Sequence, residues 1–470
     1  MILKRFYEDR LAQASYMVGC SVSGEAVVID ANRDIEQYTR AAEAEGLRIT
    51  AVTETHIHAD YVSGSRALAR AVGSRLYVSG EGGPGWQYAF AGEENVQLLH
   101  HGDSIHIGNV TLGVRHTPGH TPEHLTFVIV DEPATTRPLG AFTGDFIFVG
   151  DVGRPDLLER AAGQSGTMDA AARTLHASLQ QTVELLPDYL LIWPAHGAGS
   201  ACGKSLGGIP VSSLGYEKLT NWAFAISSEE EFVRKVLEDQ PEPPRYFAEM
   251  KRVNKVGLAA WKPDELREIP QAEFANLLQE RAIVLDIRES DAFSRGYVRG
   301  SIGIPFVRNF LTWAGSLLAY RQPVHLIANN AQHAADAARA LSLIGLDDVA
   351  GWFPAEKLSQ VVPLSLIEQL APEQVAGYVA NGATVVDVRG AAEHRSGHIE
   401  GALNLPLPSL QENLSMLPRD KGLLVHCQAG TRSVIAVSVL QRAGFQNVVN
   451  LKGGFAAYAA QGRPVKFQSS

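Results

Sequence analysis

One group of residues in this 470-residue sequence has the types and spacing to hold a metal. Thr55-His56-Ile57-His58-Ala59-Asp60-Tyr61-Val62-Ser63-Gly64 follows an apolar run, and Thr117-Pro118-Gly119-His120, Thr143-Gly144-Asp145 and Pro194-Ala195-His196 repeat the arrangement of a His or Asp at a turn. Two imidazoles and a carboxylate within five residues are the donors a divalent transition metal takes. A single such turn would mean little, whereas four in this order point to one centre. The isolated His100, His101, His106, His116, His124 and His176 are read as structural.

A second group is built on sulfur. Val425-His426-Cys427-Gln428-Ala429-Gly430-Thr431-Arg432-Ser433 places a cysteine at a strand end, then a tight loop, then a helix from about Ser433. Loop N–H groups and the helix N-terminus stabilise a thiolate and any anionic persulfide on it, and Arg432 adds positive charge. Four residues separate Cys427 from Arg432, where a phosphate-cradling cysteine loop needs five, so the spacing favours sulfur. Cys202 is read as a small buried or loop residue. Cys20, Cys202 and Cys427 are odd in number and scattered, which argues against a disulfide framework.

Strands over Glu25 to Asp30 and Ile49 to Glu54, with a helix from about Ile35 to Glu45 between them, are the elements that must carry the first histidines. After His196 the Gly-rich tract Gly197 to Ser205 demands a loop. Its Gly199-Ser200-Ala201-Cys202-Gly203-Lys204-Ser205 has three residues between the glycines where a nucleotide-binding P-loop has four, so nucleotide hydrolysis is rejected.

Further on the sequence repeats. Val284-Leu285-Asp286-Ile287-Arg288 with Gly296, Gly300 and Pro305 returns as Val385-Val386-Asp387-Val388-Arg389 with Gly397, Gly401 and Pro406, 101 residues later. Carried forward, that register equates His325 with His426 and Leu326 with Cys427. From Gly345 to Gly444 the offset is 99, which we read as two residues missing from the first copy after the strand carrying His325. Alternating strands and helices predict a small parallel α/β domain, duplicated. The expected division is residues 1–258, 268–362 and 366–470, with a linker over 258–268 after the breaker-rich Gln240-Pro241-Glu242-Pro243-Pro244-Arg245.

Composition bounds the partners. The formal net charge is −10 and no Lys/Arg-rich run occurs, which speaks against nucleic acid and anionic membranes. Charge enters at Lys4 and Arg5 before an apolar signal region can form, and no stretch of about 18 apolar residues follows, so a cytoplasmic, non-membrane chain is expected. A homo-oligomer is also expected.

The histidine and aspartate set resembles the metallo-β-lactamase superfamily, which implies an αββα sandwich over residues 1–258. Tyr61 stands where that superfamily has a second-site histidine, so a two-zinc hydrolytic centre loses a ligand and one metal is expected. The persulfide dioxygenase branch holds one Fe(II) with two histidines and one aspartate, which by motif position are His56, His120 and Asp145. That resemblance places His58, Asp60 and His196 around the ligands, puts Tyr61 in the pocket as a hydrogen-bonding group, and gives Arg154 to a thiol substrate's carboxylate. Lys204, at the site mouth, is assigned to an anionic substrate such as a coenzyme A persulfide.

The Cys427 loop, with Asp387, Arg389, Gly397-His398-Ile399-Glu400-Gly401-Ala402 and Gly453-Gly454, resembles the rhodanese family, with Cys427 and Arg432 catalytic. The first copy lacks the cysteine and reads as an inactive rhodanese-like module. Together these resemblances imply a fused persulfide dioxygenase and sulfurtransferase of sulfide detoxification, acting on a low-molecular-weight persulfide, O2 and sulfite and forming thiosulfate. The alternatives are a zinc-dependent thioester hydrolase fused to a sulfurtransferase, and a sulfur-relay module with a structural metal.

Overall fold

In a computed structural model the described residues are 1–160, 166–261 and 265–467. The middle of the expected linker, residues 262–264, lies outside them, as do 468–470 at the end of the last expected domain. The chain forms two compact units, Met1–Lys262 with Ser342–Gly345, and Pro263–Leu341 with Leu346–Ser470.

The first unit holds two six-stranded sheets. One runs in the order β1 (Ile2–Glu8), β2 (Gln13–Cys20), β3 (Glu25–Ile29), β4 (Arg48–Thr53), β5 (Arg75–Ser79) and β6 (Val96–Leu99). The other comprises β7 (Ser104–Ile107), β8 (Val110–His116), β9 (Leu125–Asp131), β10 (Gly140–Gly144), β11 (Leu191–Pro194) and β12 (Ser212–Ser213), adjacent in that order.

Side-chain alternation explains why they stack. In β2, Ala14, Tyr16, Val18 and Cys20 enter the core between the sheets, whereas Met17 points outward with Ala26 and Val28 of β3. That outer face is covered by Tyr38 and Ala42 of the helix Glu36–Ala44 and by Leu68 and Ala69 of the helix Ser65–Val72. On the far side Ala172, Leu175 and Leu179, one face of the helix Met168–Leu185, pack on Val128, Ala141 and Ile192. Helix, sheet, sheet, helix is therefore the layer order, as expected.

The second unit contains two parallel sheets. The first has the order β14 (Ile302–Gly303), β13 (Ile283–Asp286), β15 (Val324–Ala328), β16 (Val349–Pro354). The second has β17 (Gln369–Leu370), β22 (Val448–Leu451), β21 (Leu423–His426), β18 (Thr384–Asp387), β20 (Leu403–Asn404), and β19 (His398–Ile399) pairs separately with β23 (Val465–Lys466).

Strand pairing corrects the repeat register. Asp286 lies opposite Ile327 and Asp387 opposite His426, so Ile327 answers His426 and Ala328 answers Cys427. Leu326 and His325 do not take those places; His325 answers Leu424. The offset has already become 99 at these strands because the connection 304–323 in the first copy is two residues longer than 405–422 in the second. The difference thus lies before the strand, and it is the second copy that is shorter.

The candidate ligands leave the ends of β4, β8, β10 and β11, where strand termini on one rim bring distant sequence together. Close backbone packing holds the rim: a Cβ on Gly153 would fall on the Asp145 carbonyl oxygen, next to the His120 Cβ. The change Gly153→Ala should therefore destabilise the first unit by about 1–3 kcal/mol through overpacking, read as a lower urea midpoint with an unchanged slope.

Candidate metal centre and thiol loop

His56, on the loop after β4, His120, on the loop after β8, and Asp145, directly after β10, are all buried and bring one ligand atom each within 4.8 Å of one another. Each ring is aimed by its other nitrogen. His120 Nδ1 is 3.0 Å from the Arg154 carbonyl oxygen and His56 Nδ1 is 3.0 Å from the Thr55 hydroxyl. A carbonyl only accepts, so His120 carries its proton on Nδ1 and offers a bare Nε2. Burial, with the neighbouring histidines, holds His56 and His124 well below the usual imidazole range; burial also lowers His120. Neutral rings are the form that ligates. Both Asp145 oxygens are buried and accept no hydrogen bond, a costly state for a carboxylate that a bound cation relieves. The donor set therefore fits a transition ion.

The loop carrying His56 is tied to Asp30 at the end of β3. Asp30 accepts from the Thr55 N–H at 2.7 Å and the Thr55 hydroxyl at 2.9 Å, and pairs with His58 Nε2 at 3.1 Å. Burial opposes charging His58, but Asp30, with Glu54 and Asp60, prevails and its pKa is pushed up to about 9. Tyr61 donates to the Asp30 carbonyl at 3.1 Å, and burial pushes its phenol well above the usual range, so it stays protonated. Asn254 of the helix Phe247–Val256 donates to the carbonyls of His58 and Tyr61 at 2.8 and 2.7 Å.

His124, read from sequence as merely structural, joins the cluster. Its Nε2 accepts the Asp145 N–H at 3.1 Å and its ring stacks on His56 at 5.1 Å between centroids. Asp60, His196 and Cys202 form a neighbouring buried group. Cys202 and Asp30 escaped the sequence reading because neither lies in a ligand-like spacing; for His124 the four-residue interval from His120 was the available signal.

Two assigned substrate contacts are engaged elsewhere. Arg154 is fully buried, with its Nε and Nη2 on Asp156 at 2.8 and 2.7 Å and its Nη1 on the Ala201 carbonyl at 3.1 Å. What it presents to the centre is its backbone carbonyl. Lys204 turns its Nζ to the Lys235 and Glu238 carbonyls at 2.6 and 2.9 Å, at the C-terminal end of the helix Glu229–Leu237, because those orphan carbonyls attract a cation.

In the second unit Cys427 follows β21 and precedes the helix Thr431–Arg442. Its sulfur accepts the Gly430 N–H at 3.1 Å and the Ser433 hydroxyl at 3.5 Å. The loop is clamped from behind: Phe455 and Ala456 donate their N–H groups to the carbonyls of Cys427 and Gln428 at 2.7 and 3.0 Å. Gly454 has φ +63°, and a Cβ there would strike those same carbonyls, which explains the paired glycines. Arg432 is held by both oxygens of Glu393 at 2.7 and 2.8 Å, a bidentate pair that sequence inspection missed. Arg389 pairs with Asp387 and reaches the Gln428 side chain at 3.2 Å. Burial lowers His426 to about 4, leaving it neutral. In the first copy Ala328, His333 and Ala292 fall at the positions of Cys427, Arg432 and Glu393.

Comparison with known proteins agrees with this anatomy. The metallo-beta-lactamase superfamily profile matches residues 9–196, and the rhodanese-like domain profile matches 270–351 and 371–461. The chain is 31% identical over 234 residues to the mitochondrial persulfide dioxygenase ETHE1 of Bos taurus, covering 49% of this chain and 78% of that protein. A sulfurtransferase of Allochromatium vinosum is 32% identical over 102 residues, 21% of this chain and 95% of that protein. The crystal structure of a metallo-beta-lactamase from Staphylococcus aureus subsp. aureus COL superposes with a TM-score of 0.68 at 42% identity, over 75% of this chain and 99% of that one. The chain belongs to the metallo-β-lactamase superfamily, with persulfide dioxygenases among its relatives, and its second unit carries two rhodanese-like domains.

Proposed function

We propose that the chain oxidises a low-molecular-weight persulfide to sulfite at the first unit and transfers sulfane sulfur through Cys427 in the second. The observation that carries the reading is the buried set of two neutral imidazoles and one unpartnered carboxylate, His56, His120 and Asp145. This is the donor set of a non-haem Fe(II) oxygenase. Persulfide dioxygenases among the relatives support the substrate class. Iron bound there would supply redox chemistry with O2 and positions open to a sulfur ligand.

The overall change is RSSH + O2 + H2O → RSH + SO3²⁻ + 2H⁺. Thr55 and the Arg154 carbonyl keep His56 and His120 aimed. Asp30 and Asn254 hold their loop, and the buried surroundings exclude bulk water.

At Cys427 the thiolate attacks the outer sulfur of a second persulfide, the S–S bond breaks, and RS⁻ departs. Sulfite then takes the outer sulfur from Cys427, giving thiosulfate and the free thiolate. Gly430 N–H and Ser433 stabilise the negative sulfur in each form, and Arg432, fixed by Glu393, contributes positive charge at the rim. Splitting the transfer over a covalent carrier replaces one hard step with two easier ones. The first rhodanese-like copy, with Ala328 in the thiol position, is inactive in this scheme.

The deciding experiment measures O2 consumption by anaerobically purified, Fe(II)-loaded protein given glutathione or coenzyme A persulfide, with sulfite and thiosulfate quantified together. Uptake with sulfur oxyanion formation is expected; its absence at confirmed iron occupancy overturns the dioxygenase and leaves the zinc thioester hydrolase. Asp145→Asn should reduce O2 uptake at least 100-fold while the Cys427 transfer reaction continues. Cys427→Ser should leave O2 uptake within twofold of the parent and abolish enzymatic thiosulfate formation, so that sulfite accumulates. Glu393→Gln should raise the KM for the sulfur donor several-fold at Cys427 without moving O2 uptake.

A further inference from the structure

The helix Met168–Leu185 lies against the turn that carries His120: a Cβ on Gly119 would stand 2.5 Å from the Leu175 Cα. Between this helix and the ends of β8 to β11 the packing leaves a cavity of about 30 Å³, room for roughly two molecules of the size of water. Ala141, Phe146, Ile147, Leu190 and Ile192 give it an apolar wall.

Every hydroxyl on that wall is already engaged. Thr117 accepts from His124 Nδ1 and shares a bond with Thr126, each at 2.9 Å, and Thr143 donates to the Ile147 carbonyl at 2.7 Å. Ser178 donates to the Pro118 carbonyl at 2.8 Å, and Thr182 to the Ser178 carbonyl at 3.0 Å. What these side chains turn to the cavity is carbon. A water needs two to four free polar partners, so such a space favours an apolar guest.

The two ends of the cavity say where it leads. At the outer end stand the exposed His101, Gln181 and Leu185, and Arg115, Leu185 and Leu186 also line an open groove of about 630 Å³. At the inner end are Thr117 and Phe146. Thr117 holds the His124 ring, which accepts the Asp145 N–H at 3.1 Å and stacks on His56 at 5.1 Å. Phe146 follows Asp145 directly and lies 6.4 Å from His124 between ring centroids. One imidazole and one phenyl ring therefore divide the cavity from two of the three candidate ligands.

We infer that this cavity takes a small apolar gas and passes O2 from the groove to the metal centre behind His124, by a way separate from the persulfide's. Delivery of O2 rests on the dioxygenase reading; affinity for an apolar gas does not. The triad is buried, and a persulfide bound there covers the face by which it entered. A dry second way lets O2 arrive afterwards, while the cost of desolvating its charge bars the anionic persulfide from the same path. No bond forms or breaks in the passage.

Xenon tests the cavity without any activity. Crystals of the full-length protein pressurised with xenon should hold it between Ala141 and Ile192, and Ala141→Leu, which fills the space, should lose it. Thr182→Leu fills the space from the helix side, and the urea midpoints of both variants check their folding. In Fe(II)-loaded protein both should raise the KM for O2 at least fivefold, with kcat at saturating O2 and the KM for glutathione persulfide within twofold of the parent. No xenon in the parent overturns the gas site. An unchanged KM for O2 in both filled variants overturns the delivery. Wild-type protein that binds xenon but consumes no O2 overturns the dioxygenase and the delivery with it, and leaves the gas site standing.

Discussion

The metal rim depends on one buried carboxylate. Asp30 ends β3 with φ +56°, a backbone conformation that non-glycine residues visit rarely and that persists only when the surroundings hold it. Here they do. Its two oxygens take the N–H and hydroxyl of Thr55 and the ring of His58, and its carbonyl takes the Tyr61 phenol and the Gln13 amide. A buried carboxylate without such partners would be expensive; with them it becomes the fixture on which the whole His56 to Tyr61 loop is hung. Tyr61, whose hydroxyl donates to the Asp30 carbonyl, is thereby a strut.

The same economy of placement recurs around the centre. The rings of His120 and His196 are oriented by backbone carbonyls, those of Arg154 and Ala12, which are themselves fixed by the fold. Arg154 illustrates the division of labour. Its side chain neutralises Asp156 in the interior, and its main chain serves the metal centre. Such outer partners set ligand tautomer and angle, and an error of an ångström there is felt by the chemistry.

The two rhodanese-like copies separate fold from function. Both build a parallel sheet with an Asp and Arg pair behind the central strand, Asp286 with Arg288 and Asp387 with Arg389, so that pair belongs to the scaffold. The two copies part at the loops that follow β15 and β21. In the second copy that loop has a sulfur, donors aimed at it, and a Glu393 and Arg432 pair at the rim; in the first it has Ala328 and no counterpart to either charge. A shared architecture thus carries one loop with a sulfur and its donors and one loop without them.

The amino-acid sequence by itself determined the ligand types and the loops that bear them, because a metal-binding turn and a cysteine loop are local patterns with local spacing rules. His56, His120 and Asp145 as candidate ligands and Cys427 as a candidate thiol were legible for that reason, as were the strand and helix alternation and the duplication. Tertiary structure decided what depends on approach between distant segments. Cys202 beside Asp60, Asp30 beneath Thr55, His124 behind Asp145 and Glu393 against Arg432 are 142, 25, 21 and 39 residues apart, and no local spacing rule spans such gaps. The internal register was likewise settled by strand pairing, since an offset read from isolated identities does not reveal where in a connection the two extra residues sit. Side-chain direction was also closed to the sequence. Arg154 and Lys204 have the charge for a substrate anion, and only packing showed that Asp156 and a helix terminus had claimed them.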